Sequence, residues 1–302
     1  MSRPVIVVVG AGVIGLATAL RLAQAGAEVV LHDPGESDDS ASGVAAGMLG
    51  PGLESALDPT SHGHFALLSH ARDLWPSLLE TAVEGHGMLD RSGALFAAEA
   101  VDEIAGRLSG LGARAERLGP LQARTLVPGL AAASGEFLFL PDEWRIAPRA
   151  ALGALSAAFA RTGGRRERTR VIADGGRLVL EDGGALMADR VVIAAGAEAA
   201  ALAGAAPELA ALTPIKGQIL HFDGGPSAGP VVRSRGVYVS PQPGGAVVGA
   251  TMEPGRADRR TDPAALERLS RSEVRRTSLG EGRVANGVAI SGDLRSNFGA
   301  PA

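Results

Sequence analysis

The sequence predicts an α/β fold, and three observations carry that reading. The first is the apolar, mostly β-branched run Val5-Ile-Val-Val-Val9, which passes directly into Gly10-Ala-Gly-Val-Ile-Gly15. A strand entering a glycine-rich turn that opens a helix begins a βαβ unit. The second is the helical spacing of Leu16 to Ala25, followed by the apolar run Val29 to His32 and closed by Asp33. The third is a set of short strands between residues 213 and 250, separated by turns rich in Gly and Pro, as in an antiparallel sheet.

The glycine spacing has a specific physical content. Gly10 lets the strand turn sharply, Gly12 leaves out a Cβ so that a pyrophosphate can approach the backbone, and Gly15 lets the helix lie close to the sheet. Ala11, Val13 and Ile14 complete the loop that would bind such a ligand. Its phosphates would meet the free N–H groups and positive dipole end of the helix. Asp33 is placed to accept hydrogen bonds from a ribose diol and disfavours a 2′-phosphate, which leaves FAD or NAD as the ligand and argues against NADP.

Composition narrows the class. With 302 residues, 46% hydrophobic and 21% charged, the chain has the make-up of a globular protein large enough for two domains. No apolar run approaches the roughly 20 residues that span a bilayer. Val5 to Val9 is too short for a signal peptide and lacks a cleavage site, so a cytoplasmic location is expected. The absence of cysteine excludes disulfides, thiolate metal sites and cysteine nucleophiles. A net charge of −4 offers no general attraction to nucleic acid or an acidic membrane, and a homo-oligomer is compatible with the sequence.

In chain order, the small-residue segment Ala41 to Pro51, containing Ser42, Ala46, Gly47 and Met48, suits backbone lying against a large flat ligand. Phe65 to Val83 reads as one or two helices with Pro76 near a helix start. His62, His64 and His70 lack a carboxylate pattern that would complete a metal site, and no metal is expected. Met88 to Ala97 is a strand candidate with Gly93 as a bulge, Val101 to Leu111 and Pro120 to Leu126 are helices, and Glu136 to Leu140 is a buried strand. Asp142 and Glu143 are expected to be solvated turn carboxylates, and Pro148 starts an alanine-rich helix. Asp189 to Gly196 reads as a buried strand ending in glycine.

The glycine motif, Ala45-Ala-Gly-Met-Leu49, Pro214-Ile-Lys-Gly-Gln218 and Val248-Gly-Ala-Thr-Met-Glu-Pro-Gly255 together resemble the glycine oxidase branch of the FAD-dependent D-amino acid oxidase family. The resemblance runs from residue 4 to about residue 268 and selects FAD over NAD. It implies a glutathione-reductase-type, Rossmann-like FAD-binding domain from residues 1–85 and 149–212. Residues 86–148 and 213–268 would form an antiparallel-sheet substrate domain. It further implies that Val171 places its backbone against the adenine and that the strand ending at Gly196 runs beneath the cofactor. Tyr238 and Met252 would belong to the substrate pocket.

The implied reaction converts glycine or a small D-amino acid to its imino acid, with O2 as second substrate and hydrogen peroxide as product. The imine could serve the thiazole of thiamine. The family's carboxylate-binding arginine lies in a Gly-x-Arg-Pro-x-Thr-x-Asp-Gly-x-Pro segment, which has no counterpart after Pro263 to Leu269. Residues 269–302 are instead arginine-rich and weakly periodic, as expected of an atypical, solvated C-terminal segment. Arg233 and Arg235 are the arginines nearest Tyr238, with Arg283 and Arg295 further along, and Arg235 is included with Tyr238 and Met252 as a pocket residue. The alternatives are a catalytically impaired FAD-binding remnant and an NAD-dependent dehydrogenase.

Overall fold

The computed structural model describes residues 3–36, 39–82, 87–97, 101–130, 135–223, 227–271 and 283–293. The chain opens with β1 (Val5–Val9), α1 (Val13–Gln24) and β2 (Glu28–His32). Then come α2 (Ala41–Val44), β3 (Met48–Leu49), α3 (Pro51–Leu57) and α4 (Phe65–Glu80). Pro76 lies inside α4 and not at a helix start, because Trp75 and Leu79 pack against Ile146 and Ala151 and hold the turn in which the proline removes a backbone donor.

The expected strand from Met88 to Ala97 divides into β4 (Leu89–Asp90) and β5 (Ala94–Phe96), which join different sheets. Gly93 makes the change of direction with φ +84°, and a Cβ there would stand 2.6 Å from the Phe139 ring. Next are α5 (Val101–Leu111), β6 (Glu116–Leu118), α6 (Pro120–Leu126), β7 (Phe137–Leu140) and β8 (Trp144–Ile146). α7 (Pro148–Arg161) has Pro148 in its first turn, and it leads to β9 (Arg165–Glu167), the hairpin of β10 (Val171–Asp174) with β11 (Arg177–Leu180), and β12 (Arg190–Ile193). The remainder is β13 (Thr213–Asp223), β14 (Val231–Arg233), β15 (Tyr238–Gln242), β16 (Gly245–Gly249), β17 (Glu253–Pro254), α8 (Pro263–Ser270) and β18 (Arg283–Asp293).

Two sheets organise these elements. A parallel sheet runs in the order β12-β1-β2-β9, with the βαβ unit at its centre. Its two faces are separated by strand alternation: Val8 and Leu31 pack with Leu16, Leu20, Leu155 and Phe159 of α1 and α7, whereas Val7, Val9 and Val30 pack with Val171 and Leu202. β12 is an edge strand whose Val191 is 37% exposed, which corrects the expectation of a buried strand there. An apolar run reports β-propensity, while its place in the sheet is set by partners elsewhere in the chain.

The larger, mainly antiparallel sheet runs β17-β13-β16-β15-β14-β5-β7-β6. Alternation again divides it: Leu95, Phe137 and Val232 face a core with Ala123 and Leu269, and Phe96, Leu138 and Val231 face one with Leu53, Ile104 and Leu108. β18 pairs antiparallel with β13 along its whole length, from Thr213 opposite Asp293 to Asp223 opposite Arg283. Residues 283–293 are therefore a strand and not the solvated tail that their weak periodicity suggests. An edge as long as β13 recruits a partner through backbone groups, which needs no side-chain pattern.

Phe159 is 2% exposed between α7 and the parallel sheet. Phe159→Ala is expected to lower unfolding stability by about 3 to 5 kcal/mol in urea denaturation, through lost burial and the cavity left behind. Leu121→Ala, at a position 80% exposed, should change it by less than about 0.5 kcal/mol.

Candidate active site

The glycine loop is built as its spacing requires. Gly10 has φ +106°, and a Cβ on it would lie 2.4 Å from the Ala194 carbonyl oxygen. A Cβ on Gly15 would stand 1.8 Å from the Gly10 carbonyl oxygen, so only glycine lets α1 start this close to the end of β1. Gly12 is the N-cap of α1, with no side-chain cap and no acid in the first turn. The positive end of the helix is thus available to an anionic ligand. Two side chains brace the turn: Asp33 Oδ2 accepts the Ala11 N–H at 2.6 Å, and Ser42 Oγ accepts the Val13 N–H at 3.1 Å. The other Asp33 oxygen accepts the Gly35 N–H at 2.7 Å, fixing the carboxylate beside the loop.

A cavity of about 460 Å³ begins at Val13 and Ser42 and runs along the segment 44–49 to Tyr238. Trp75, Ile146, Pro148 and Leu152 form one wall, and Gly217, Ile219 and Ala250 of the larger sheet form another. Gly47, at φ +71°, lies so close to β8 that a Cβ would meet the Ile146 carbonyl oxygen at 2.0 Å. The Ala46 carbonyl accepts hydrogen bonds from Ser240 Oγ at 3.1 Å and Gln242 Nε2 at 2.8 Å. The ligand-facing loop is thereby pinned to β8 and to β15 of the larger sheet. In β13 the residues alternate, with Gly217 and Ile219 toward the cavity and the fully buried Lys216 and Gln218 on the other side. Lys216 Nζ donates to Asp258 Oδ1 at 2.7 Å, and Gln218 Nε2 donates to Glu253 Oε1 at 2.5 Å, which fastens the loop after β16.

Tyr238 lines the cavity beside Ile219 and Ala250 of the larger sheet. Its hydroxyl is accommodated by Gly249 on the neighbouring strand, where a Cβ would be 2.3 Å away. Burial pushes the phenol up to about 12, against a smaller opposing pull from Arg233. Arg233 is the direct cross-strand partner of Tyr238 and donates to Glu54 Oε2 at 3.4 Å. Behind it Glu143, only 4% exposed, accepts the Gly52 N–H at 2.7 Å and the Leu53 N–H at 3.3 Å at the start of α3. Burial raises the Glu143 carboxyl to about 7, although Arg233 and the two backbone donors favour its charged form.

The cavity gathers Val13, Ser42, Ala46, Gly47, Met48 and Tyr238 of the residues expected at the site. Gly10, Ala11, Gly12, Gly15 and Asp33 surround the adjoining turn, and Ile14 is 70% exposed in the first turn of α1. Val171 turns its side chain into the core beneath β1 and β2, and Gly196 is exposed at φ +56°.

Two expected pocket residues are elsewhere. Met252 is 59% exposed on the loop after β16, and Arg235 is an exposed turn residue paired with Glu103 of α5. The turn between β14 and β15 carries Arg235 away, while strand pairing keeps Arg233 beside Tyr238. Glu143 is not the solvated carboxylate expected; its neighbour Asp142 is exposed. The sequence signal for Glu143 was available only as a possible partner for the N–H groups opening α3 behind Pro51. Among the described residues no cluster of His, Asp or Glu could hold a metal, and His62, His64 and His70 form none. Arg295 lies outside the described residues.

Comparison with known proteins decides what the constellation belongs to. The family described as FAD dependent oxidoreductase, DAO, matches residues 6–287. The chain belongs to this family. A glycine oxidase from Geobacillus kaustophilus (strain HTA426) is 30% identical over 285 residues, covering 87% of this chain and 74% of the relative. The crystal structure of glycine oxidase from Geobacillus kaustophilus superposes with a TM-score of 0.82 at 27% identity, covering 99% of this chain and 85% of that one. Iminodiacetate oxidase from Chelativorans sp. BNC1 superposes at 0.81 with 26% identity, covering 95% and 83%.

FAD is accordingly the cofactor, and the NAD-dependent dehydrogenase alternative falls away. The residues fit it: a helix start with no acidic residue in its first turn behind three close-packed glycines for the phosphates, Asp33 after the end of β2, and an apolar cavity for a flat ring system. Members of this family need no nucleophile of their own, since the protein binds and orients while the cofactor carries the redox chemistry.

Gly15→Ala is expected to give protein that purifies without yellow colour, because the methyl must displace the turn that receives the phosphates. Flavin content measured by absorbance after gel filtration checks this.

The Glu143 carboxyl titrates higher in the folded than in the unfolded chain. The stability this confers is fully present below the ordinary carboxyl range, near 4.5, and is lost as pH rises through about 7. Glu143→Gln keeps acceptors for Gly52 and Leu53. Its stability relative to the wild type should therefore rise between about pH 5 and pH 8 in urea titrations. A difference independent of pH would refute the assignment.

Proposed function

We propose that the protein oxidises glycine or a comparably small amino acid to the imino acid and releases hydrogen peroxide. The observation that carries this reading is one cavity, with a mostly apolar lining, that reaches from the glycine turn of α1 to Tyr238. The names of relatives point the same way, glycine oxidase and iminodiacetate oxidase both denoting oxidation of a small amine that bears carboxylate. FAD held at the α1 turn and along the cavity would supply the redox chemistry: acceptance of a hydride from the substrate Cα while the amine nitrogen loses a proton, and delivery of those two electrons with two protons to O2.

The protein's own residues supply the rest. Trp75, Leu49 and Ile219 give the cavity an apolar lining, in which a neutral amine is favoured over an ammonium ion. Tyr238, still protonated well above neutral pH, acts as a hydrogen-bond donor or acceptor and not as a base. The ammonium proton is therefore lost to solvent before or during entry.

Purified protein loaded with FAD should bleach near the flavin absorption bands when glycine is added without oxygen, and admission of air should restore the colour with one peroxide per imine. Retention of oxidised flavin with both glycine and small D-amino acids would overturn the proposal and favour a binding remnant.

A further inference from the structure

The chain that walls the cavity is gripped from behind. Met48 and Leu49 line the cavity, and the backbone then passes through Gly50 into α3. On the cavity side of Gly50, β3 pairs with β8, Leu49 opposite Trp144 and Met48 opposite Arg145. A two-residue strand holds little by itself. Glu143, the residue just before Trp144, takes the other side: Oε1 accepts the Gly52 N–H at 2.7 Å and the Leu53 N–H at 3.3 Å. One short stretch, Glu143 to Arg145, therefore fastens the chain on both sides of Gly50, although Glu143 is not among the residues lining the cavity.

The fit around this carboxyl is close. Glu143 is buried, and a Cβ on Gly50 would fall 2.1 Å from its Oε2 and 3.2 Å from its Cδ. Gly50 has φ −115°, a value open to any residue, so the Glu143 carboxyl and not the backbone conformation excludes a side chain there. Arg233 and Glu54 are the charged side chains around the carboxyl, and they bond to each other, which leaves Glu143 to the backbone of α3. The glycine-turn end of the site has separate braces, Asp33 on the Ala11 N–H and Ser42 on the Val13 N–H. The two ends share none of these side chains.

We propose that Glu143 is a positioning residue for the cavity end of the cofactor site: by holding Gly50 and the start of α3 against β8, it sets the wall made by Met48 and Leu49 and with it the affinity for the part of FAD beyond the glycine turn. A wall fixed before the ligand arrives lowers the ordering cost of binding. Without Glu143 the Gly52 and Leu53 donors lose their acceptor, and the turn at Gly50 is free to shift. ADP carries only the groups suited to the glycine turn, whereas FAD would occupy the turn and the cavity together. The pair of ligands thus separates loosening of the wall from loosening of the whole fold.

The test starts from FAD-loaded, full-length protein at neutral pH. FAD affinity is read from flavin fluorescence on dilution, and ADP affinity from its displacement of FAD. Glu143→Ala should weaken FAD by roughly tenfold or more, through two orphaned donors, and leave ADP within about twofold. Glu143→Gln, which keeps an acceptor for Gly52 and Leu53, should stay within about threefold of wild type for both ligands. Gly50→Ala pushes on the same contact from the other side and should also weaken FAD while sparing ADP. In the double variant the small side chain at position 143 removes the clash, so Gly50→Ala should add little to the effect of Glu143→Ala.

Unchanged FAD affinity in Glu143→Ala, parallel loss of FAD and ADP, full additivity in the double variant, or no FAD binding by wild type would overturn the proposal. Should Glu143→Ala fail to fold by circular dichroism, Gly50→Ala decides: loss of FAD with ADP retained supports the positioning role, and any other pattern removes it.

Discussion

The structure depends on how the backbone of residues 42–53 is satisfied. This segment forms only a short helix end, the two-residue strand β3 and the first turn of α3, so most of its polar groups must find partners outside it. Ser42 takes a donor from α1, the Ala46 carbonyl takes two from β15, and Gly47 O accepts the Ile146 N–H at 2.8 Å. The N–H groups of Gly52 and Leu53 go to Glu143. One stretch of small residues thereby ties together α1, the larger sheet and the β7–β8 turn, and the cavity is the space it leaves. Larger side chains would not fit, as the 2.0 Å approach at Gly47 and the 2.1 Å approach at Gly50 show.

The buried charges follow the same logic of anchoring loops that have no sheet of their own. Glu143 fastens the start of α3, Lys216 fastens the loop carrying Asp258 and Arg260, and Arg145 joins β8 to Asp90. Each is buried with two hydrogen bonds, which offset part of the cost of placing a charged group inside a protein. Replacing any one of them by a group without its donors or acceptors leaves its partners unsatisfied, which costs more than the contact contributes. Arg233 differs from these three, because its long contacts to Glu54 do not hold a loop in place.

The parts of this arrangement legible in the sequence are those that local geometry determines. The glycine turn, α5, α6, the first residue of α7 and the strands β7 and β13 to β16 follow from spacing, proline position and alternation, since each is decided within a few residues. Pro76 within α4, the edge position of β12 and the pairing of β18 with β13 were not legible, because packing or pairing with distant segments overrides local preference. The site divides in the same way. Asp33 and Ser42 lie where a motif puts them, whereas the burial of Glu143 depends on α3 arriving from 90 residues away. Arg233 and Arg235 are two positions apart and chemically identical, and only the end of β14 at Arg233 separates their fates.

The cavity's position between the two sheets has a consequence for stability as well as for binding. A cofactor filling the cavity would contact both layers at once, since Val13 and Ser42 line it as well as Ile219 and Tyr238. Its binding free energy then opposes separation of the layers, adding about 2.7 kcal/mol when free ligand is a hundred times its dissociation constant. Asp33 and Ser42 already hold two N–H groups of the turn before any ligand arrives, which lowers the ordering cost of binding. The turn that would receive the cofactor is thus preformed by hydrogen bonds within the chain, and a bound cofactor would add apolar contact between the layers on either side of the cavity.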